Sequence, residues 1–179
     1  MNALIFLLDS LLTLALFVFL ARLLLQWARA DFRNPIAQAV VRLTNPLILP
    51  LRRVLPPVGK VDTASVVAVV LVAVIKVAIL WPLTTYGTPG PEQWVRYIAL
   101  ELLNALLSTY LYAIILYALL SLIAPGGYSP LQSVLASVCE PVLRPFRRVI
   151  PPIAGIDFSP LWAILIIKAI QLWLPGAPW

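Results

Sequence analysis

The sequence contains no histidine and one cysteine, Cys139, among its 179 residues. Without histidine, the chain cannot build zinc sites from histidine and cysteine, histidine general acid–base catalysis, or haem ligation through histidine. A single cysteine cannot form an internal disulfide. The composition therefore predicts no metal centre and no cofactor.

Charged residues are also scarce, at 11% of the chain, whereas 62% of the residues are hydrophobic. A soluble domain averages about 25% charged residues, and so few charges cannot cover a surface that faces water. The class predicted is an integral membrane protein. The net charge of +6 does not indicate nucleic-acid binding, because the basic residues flank hydrophobic segments instead of forming a basic domain.

A proline-bracketed pair of arginines occurs twice, in PLRRVLPPVGKVDTAS at residues 50–65 and in PFRRVIPPIAGIDFSP at residues 145–160. Seven residues of the first block return unchanged at an offset of 95 residues. The same offset aligns Pro35 with Pro130, and a run of leucines near the N-terminus with a second run that begins at Leu102. The chain is therefore a tandem duplication, with repeat 1 over residues 1–95 and repeat 2 over residues 96–179.

Four stretches are apolar enough to cross a bilayer, which takes about 20 helical residues. They cover residues 3–28, 61–81, 94–124 and 156–174. The fold predicted is all-α, with four transmembrane helices in two tandem parallel repeats. Basic residues concentrate in the connector inside each repeat. The positive-inside rule therefore places both of these connectors in the cytoplasm and both termini outside.

Each repeat also contains a shorter segment with a polar and an apolar face. In the first copy Gln38, Arg42 and Asn45 lie on one face, and the second copy starts at Pro130. We expect an in-plane amphipathic helix at the membrane interface, bounded by prolines at each end. The arginine motif that follows is expected to be a stiff extended loop, because proline fixes φ and lacks a hydrogen-bond donor.

The doubled P-x-R-R-V-[LI]-P-P motif, followed by an aspartate, resembles the YggT family, also called YlmG, of small bacterial and plastid membrane proteins. The resemblance spans essentially the whole chain. The second copy has the full D-F-S-P ending, whereas the first has D-T-A-S. The resemblance implies a non-enzymatic protein of the bacterial inner membrane. Members are associated with membrane-complex assembly, with division and nucleoid organisation, and with osmotic or ion balance.

The motif residues are candidates for docking a partner protein or anionic lipid headgroups at the cytoplasmic surface. The candidates are Arg52, Arg53, Arg147, Arg148, Asp62, Asp157 and Ser159. Aspartate or serine at the start of a span can also cap the helix, and Ser159 before Pro160 is predicted to be an N-cap. Two roles of the motif therefore remain open. One is to anchor the loop at the membrane surface and cap the next helix, and the other is to dock a partner.

Polar residues inside the spans follow the same offset. Asp9 corresponds to Asn104, and Lys76 corresponds to Gln171. An acid and a base in one repeat are thus replaced by two amides in the other, and pairing would lower the cost of each polar group in an apolar layer. We predict that Asp9 pairs with Lys76 and that Asn104 pairs with Gln171. Glu101 and Lys168 are predicted to join the pair of Asn104 and Gln171.

Two classes of function remain after this reasoning. The first is a non-catalytic membrane organiser or assembly factor that contacts other membrane proteins. The second is a small channel or transporter that contributes to ion or osmotic balance, for which a homo-oligomer could build the pore. Leucine, isoleucine, valine and alanine fill the centres of the spans, which favours the first class. An enzyme is disfavoured because Lys76 and Lys168 lie toward the opposite face from Ser65 and Ser159.

Overall fold

A computed structural model describes residues 3–56, 62–84, 89–123, 129–149 and 157–175. Within these ranges the chain forms six α-helices and no strand. The helices are α1 (Ala3–Trp27), α2 (Pro35–Val54), α3 (Thr63–Thr84), α4 (Pro91–Ile123), α5 (Pro130–Val149) and α6 (Ser159–Trp173). The prediction of an all-α chain is confirmed.

Three helices, α1, α3 and α4, are long and apolar enough to cross a membrane. The fourth predicted span corresponds to α6, which is apolar but has only 15 residues. At about 1.5 Å per residue it is about 22 Å long, shorter than the hydrocarbon core of about 30 Å. The predicted starts of the second and fourth spans, at residues 61 and 156, lie outside the described residues.

The two helices that carry the arginine pairs correct one prediction. α2 continues through Pro46 and Pro50 to Val54, and α5 has the same course through its own two prolines to Val149. The arginines therefore lie in the last helical turns, and the predicted extended loop is wrong. Prolines four residues apart share one helix face, and here that face is exposed. The backbone hydrogen bonds that the prolines cannot donate therefore lie on the exposed side of the helix. The opposite side, which includes Ile48, stays packed against the rest of the protein.

The starts of α2 and α5 are capped and joined to each other. The Asn34 side chain accepts a hydrogen bond of 2.9 Å from the Ile36 N–H, as an N-cap does. The Asn34 amide also donates to the carbonyl of Pro130, at 2.7 Å. In α5 the hydroxyl of Ser129 accepts a bond of 3.1 Å from the Gln132 N–H. One side chain thus caps α2 and holds the beginning of α5 beside it.

The two halves of the chain pack into shared clusters. Leu16 of α1 and Ala73 of α3 are buried together with Ala105 of α4. A second cluster joins Leu25 of α1 to Val138 of α5. The long helices α1 and α4 therefore lie at the junction of the two repeats. Their outward faces expose many large apolar side chains, as is compatible with a membrane protein.

Candidate functional site

In the first repeat, the arginine and the aspartate of the motif bind each other. Arg52 Nη2 lies 2.5 Å from Asp62 Oδ2, and Arg52 Nε donates to Asp62 Oδ1 at 3.3 Å. This is the two-pronged geometry that a guanidinium forms with a carboxylate. The Ser65 hydroxyl also donates to Asp62 Oδ2, at 2.7 Å. Asp62 is only 3% exposed, so the pair fastens the end of α2 to the start of α3.

The second repeat has the same pair 95 residues later. Arg147 Nε donates to Asp157 Oδ2 at 2.7 Å, and Arg147 Nη1 donates to Glu140 Oε2 at 2.6 Å. Asp157 Oδ1 accepts from the Ser159 N–H at 2.9 Å. The N-cap position of α6 is Phe158. The predicted N-cap at Ser159 is therefore one residue off, because the aspartate side chain satisfies the first free N–H.

Both aspartates of the motif are stabilised in their charged form. Burial acts to raise the pKa of Asp62, but hydrogen bonds from Arg52 and Ser65, with the nearby arginine charges, hold this pKa below its ordinary value. Burial also acts to raise the pKa of Asp157. Hydrogen bonds from the start of α6 and from Arg147 nevertheless hold it below the ordinary value. Each repeat therefore carries a true ion pair at neutral pH. The other two docking candidates, Arg53 and Arg148, are exposed.

The predicted partners Asp9 and Lys76 lie together in a cluster formed by α1, α3 and α4. Lys76 Nζ donates to Thr13 Oγ1 at 2.7 Å and to Glu101 Oε1 at 2.6 Å. Asp9 Oδ1 is 3.0 Å from Lys76 Nζ, close enough for an ion pair but not aligned as a hydrogen bond. We call Asp9, Thr13, Lys76 and Glu101 the charged cluster.

The predicted partners Asn104 and Gln171 also lie together. Gln171 Nε2 donates to Asn104 Oδ1 at 3.0 Å and to Ser108 Oγ at 2.9 Å. We call these three residues the amide cluster. Ser108 is the counterpart of Thr13 at the offset of 95 residues. The prediction missed both hydroxyls, although each follows its acid or amide by one helical turn and the repeat alignment could have revealed them.

The prediction that Glu101 and Lys168 join the amide cluster is wrong. Glu101 lies on the face of α4 that contacts Lys76, together with buried Ala105, whereas Asn104 lies on the face that contacts α6. Lys168 is exposed and forms no ion pair within the described ranges. Residues three apart on a helix point in directions about 60° from each other, and here the two directions lead to different neighbouring helices. The counterpart of Glu101 is Phe6. Because phenylalanine is apolar, comparison of the two repeats could not indicate the partner of Glu101.

Comparison with known proteins identifies a family that matches most of the chain. The CCB3/YggT family matches residues 1–83 and residues 96–177. The chain belongs to this family. The uncharacterized protein YggT of Escherichia coli (strain K12) is 37% identical over 96% of this chain and 89% of its own length. An uncharacterized protein of Pseudomonas aeruginosa is also 37% identical, over 96% of this chain and 87% of that protein.

A plastid relative matches a smaller part of this YggT-family chain. YlmG homolog protein 2, chloroplastic, of Arabidopsis thaliana is 38% identical over 45 residues, which is 25% of this chain and 18% of that protein. No solved structure matches the chain.

One residue of this YggT-family chain has a larger role than its sequence position suggests. Arg22 lies within the apolar helix α1. It is only 4% exposed, and its Nη1 donates to Thr44 Oγ1 at 2.6 Å and to Asn45 Oδ1 at 2.9 Å. Arg22 therefore fastens α1 to α2.

Cys139 occupies the place of Thr44 in the second repeat. Burial and the charge of Glu140 raise the pKa of Cys139 to about 12, so the thiol stays protonated.

Proposed function

We propose that this chain is a non-catalytic inner-membrane protein that organises or helps to assemble membrane-protein complexes. Its docking surface consists of the last turns of α2 and α5, with Arg53 and Arg148 at their exposed sides. The observation that carries this proposal is the repeated ion pair between motif arginine and motif aspartate. Each pair fixes a helix end rigidly and leaves the adjacent arginine free to face a partner.

The architecture proposed with this function is two tandem parallel repeats, each with two membrane crossings and one interfacial helix. In α2 and α5 polar and apolar residues segregate to opposite sides, as in a helix that lies in the plane of an interface. α6 provides the fourth crossing, and a short apolar helix can be accommodated by local thinning of the bilayer. The positive-inside rule places the arginine-bearing ends in the cytoplasm and both termini outside.

The chemistry of these ends favours a partner that is both acidic and apolar. Val54, next to Arg53, is 77% exposed, and Val149, next to Arg148, is 80% exposed. A charge beside an uncovered aliphatic side chain suits a protein segment with a carboxylate next to an apolar residue. Arg52 and Arg147 contribute less to docking, because aspartates already occupy part of each guanidinium.

The channel or transporter alternative has weaker support. A conducting path needs ionisable groups that face water at membrane depth. Lys76 and Glu101 are 4% and 6% exposed, and each is satisfied by the other. Several copies of the chain would have to form the pore between them. Purified protein in liposomes distinguishes the two functions, because ion flux well above that of empty liposomes would support the channel and contradict the organiser.

A photoreactive residue at Val149 tests the docking surface directly. We expect crosslinks to one or a few defined membrane proteins, and loss of these crosslinks when Arg53 and Arg148 are replaced by glutamate. A photoreactive residue at Leu172, which is 87% exposed on α6, is the matched control. If both positions capture the same proteins, or if the glutamate variant crosslinks as the parent does, the docking surface is wrong.

A further inference from the structure

A groove of about 260 Å³ lies beside the first half of α2. Phe32 and Val41 form its apolar walls, and Gln38 and Arg42 form its polar walls. We call these four residues the arginine groove. Phe32, Gln38 and Arg42 are exposed, so the groove is open at the surface of the protein. The proposed docking surface uses none of the four.

The stretch of chain that forms the arginine groove is basic. Over residues 29–42 it has three arginines and one acid, Asp31, which gives a net charge of +2. The arginines are Arg29, Arg33 and Arg42. All three are exposed, and none of them forms an ion pair with another described residue. The Gln38 amide also donates to the Arg33 carbonyl at 3.3 Å, which holds Arg33 next to the groove. The guanidinium groups are therefore available to an anion.

Arg29 has a backbone conformation that normally belongs to glycine. Its φ is 52°, in the left-handed region, where a side chain is disfavoured. The Ala30 N–H donates to the Leu25 carbonyl at 2.9 Å, and the Arg29 N–H donates to the Gln26 carbonyl at 3.1 Å. This pair of bonds is the one that ends a helix with glycine at the place of Arg29. An arginine costs free energy here that a glycine would not cost, and this indicates a use for its side chain.

The second repeat does not carry this positive charge. At the offset of 95 residues, the three arginines correspond to Ala124, Tyr128 and Ser137. The arginine pair of the motif, in contrast, is present in both copies. The basic surface around the groove is therefore a feature of the first repeat and not part of the framework that the two repeats share.

The arginine groove follows directly after an apolar helix. α1 is long and apolar enough to cross a membrane, and it ends at Trp27. Trp27 is 70% exposed, and an exposed tryptophan at the end of a span is typical of the headgroup level of the bilayer. Phe32 follows only a few residues later. When α1 crosses the bilayer, the groove therefore lies at the level of the lipid phosphates.

We propose that the arginine groove binds the headgroup of one anionic phospholipid, with the phosphate on Arg42 and with further positive charge from Arg29 and Arg33. A guanidinium donates two parallel hydrogen bonds to a phosphate. Phe32 and Val41 provide apolar contacts for the glycerol and the first acyl carbons. The groove is smaller than the pockets of about 300–1,000 Å³ that enclose a small molecule. It therefore suits a headgroup whose acyl chains stay in the bilayer.

Native mass spectrometry of the full chain tests this site. The protein is reconstituted in bilayers that contain equal amounts of phosphatidylglycerol and phosphatidylcholine, and is then released into detergent. We expect one phosphatidylglycerol to be retained in preference to phosphatidylcholine. Arg42→Ser, which copies Ser137 of the second repeat, should reduce this retention about tenfold, which corresponds to about 1.4 kcal/mol of binding free energy. Arg144→Ser is the matched control, because Arg144 is an exposed arginine of α5, the equivalent helix.

Arg29→Gly separates lipid binding from a structural role. Because glycine suits a positive φ, this variant should unfold at the same temperature as the parent protein, or higher, in phosphatidylcholine alone. It should nevertheless retain less phosphatidylglycerol. Added phosphatidylglycerol should raise the unfolding temperature of the parent protein more than that of Arg29→Gly or Arg42→Ser. Inorganic phosphate at the same concentration should not raise it, because the proposed ligand is the lipid.

A photoreactive residue at Phe32 distinguishes a lipid from an acidic protein segment, and we expect an adduct with phosphatidylglycerol. An adduct with a protein and not with the lipid would overturn the proposal. The same holds for equal retention of the two lipids by the parent protein, for no retained lipid, and for equal retention by Arg42→Ser and Arg144→Ser. If Arg42→Ser does not fold, Gln38→Glu, which adds a negative charge to the same groove, replaces it.

Discussion

Lys76 and Glu101 form a buried ion pair, with Nζ 2.6 Å from Oε1, that joins α3 of the first half of the chain to α4 of the second half. Asp9 and Thr13 of α1 complete the contacts of the same ammonium group. The amide cluster repeats the geometry of Asp9, Thr13 and Lys76 with neutral groups, but without a counterpart of Glu101. The charged cluster therefore joins the repeats, whereas the amide cluster lies within one repeat.

Replacing Lys76 by glutamine should strongly destabilise the protein. The change leaves Glu101 buried without its cation, and breaking a buried pair in this way costs about 3–5 kcal/mol. The triple variant Asp9→Asn, Lys76→Gln, Glu101→Gln should recover most of this stability, because it leaves no buried charge without a partner. The free energy of unfolding in mixed micelles measures both. A triple variant as unstable as Lys76→Gln alone would show that the charge balance is not the cause.

The two carboxylates of the charged cluster should differ in importance. Glu101→Gln should cost about 1–3 kcal/mol, because a buried charged hydrogen bond is weakened, whereas Asp9→Asn should cost less than about 1 kcal/mol. The side chain of Asp9 is 30% exposed and that of Glu101 is 7% exposed. Hydrogen exchange in α3 and α4 should increase for Glu101→Gln but not for Asp9→Asn. The reverse order would mean that the contact within the first repeat is the stronger one.

The neighbouring arginines of the first motif should have opposite roles. Arg52→Gln should lower the free energy of unfolding by about 1–2 kcal/mol, because Asp62 is left buried without its guanidinium. Arg53→Gln should change it by less than about 0.5 kcal/mol, as for an exposed residue, but should weaken partner crosslinking from Val54. Thermal unfolding and crosslinking yield are measured on the same preparations. Equal effects of both changes on stability would contradict the division between a structural and a docking arginine.

The motif aspartates should make stability depend on acid pH. The pKa of each is lower in the folded protein than its ordinary value of 3.8. Such a group contributes stability above its unfolded pKa, and this contribution is lost as pH falls through the folded pKa. The contribution of these two groups to stability should therefore be constant from neutral pH down to about pH 5, and it should fall below about pH 4. Unfolding of Asp62→Asn as a function of pH should show a smaller loss than the parent protein.

Single cysteines test the proposed orientation. Val54→Cys and Val149→Cys should react with an impermeant maleimide only from the cytoplasmic side, and Gly90→Cys only from the outside. A side chain at Gly90 meets nothing within 4 Å, so this cysteine should be tolerated. The parent protein is the blank, because Cys139 is buried. Labelling of Gly90→Cys and Val54→Cys from the same side would contradict the four-crossing arrangement.

The helical class, the presence of apolar helices compatible with a membrane and the pairing of equivalent polar residues could be predicted from the sequence. Composition alone excludes a water-exposed surface, and a constant offset of 95 residues shows which polar residues change together. Asp9 with Lys76, and Asn104 with Gln171, could be paired in this way because each pair substitutes for the other as a unit. The physical reason is that a polar group in an apolar layer costs free energy unless it has a hydrogen-bonding partner.

The conformation of the arginine motif and the partner of Glu101 depend on tertiary packing and could not be predicted from local patterns. Proline rules are local and predicted an extended loop, but a helix continues where its prolines share an exposed face and its opposite face is held by packing. Glu101 and Asn104 are three residues apart on α4, and the rotation between them directs one to α3 and the other to α6. That choice depends on which helices surround α4. Local sequence patterns do not reveal it, because packing between distant segments is a property of the whole chain.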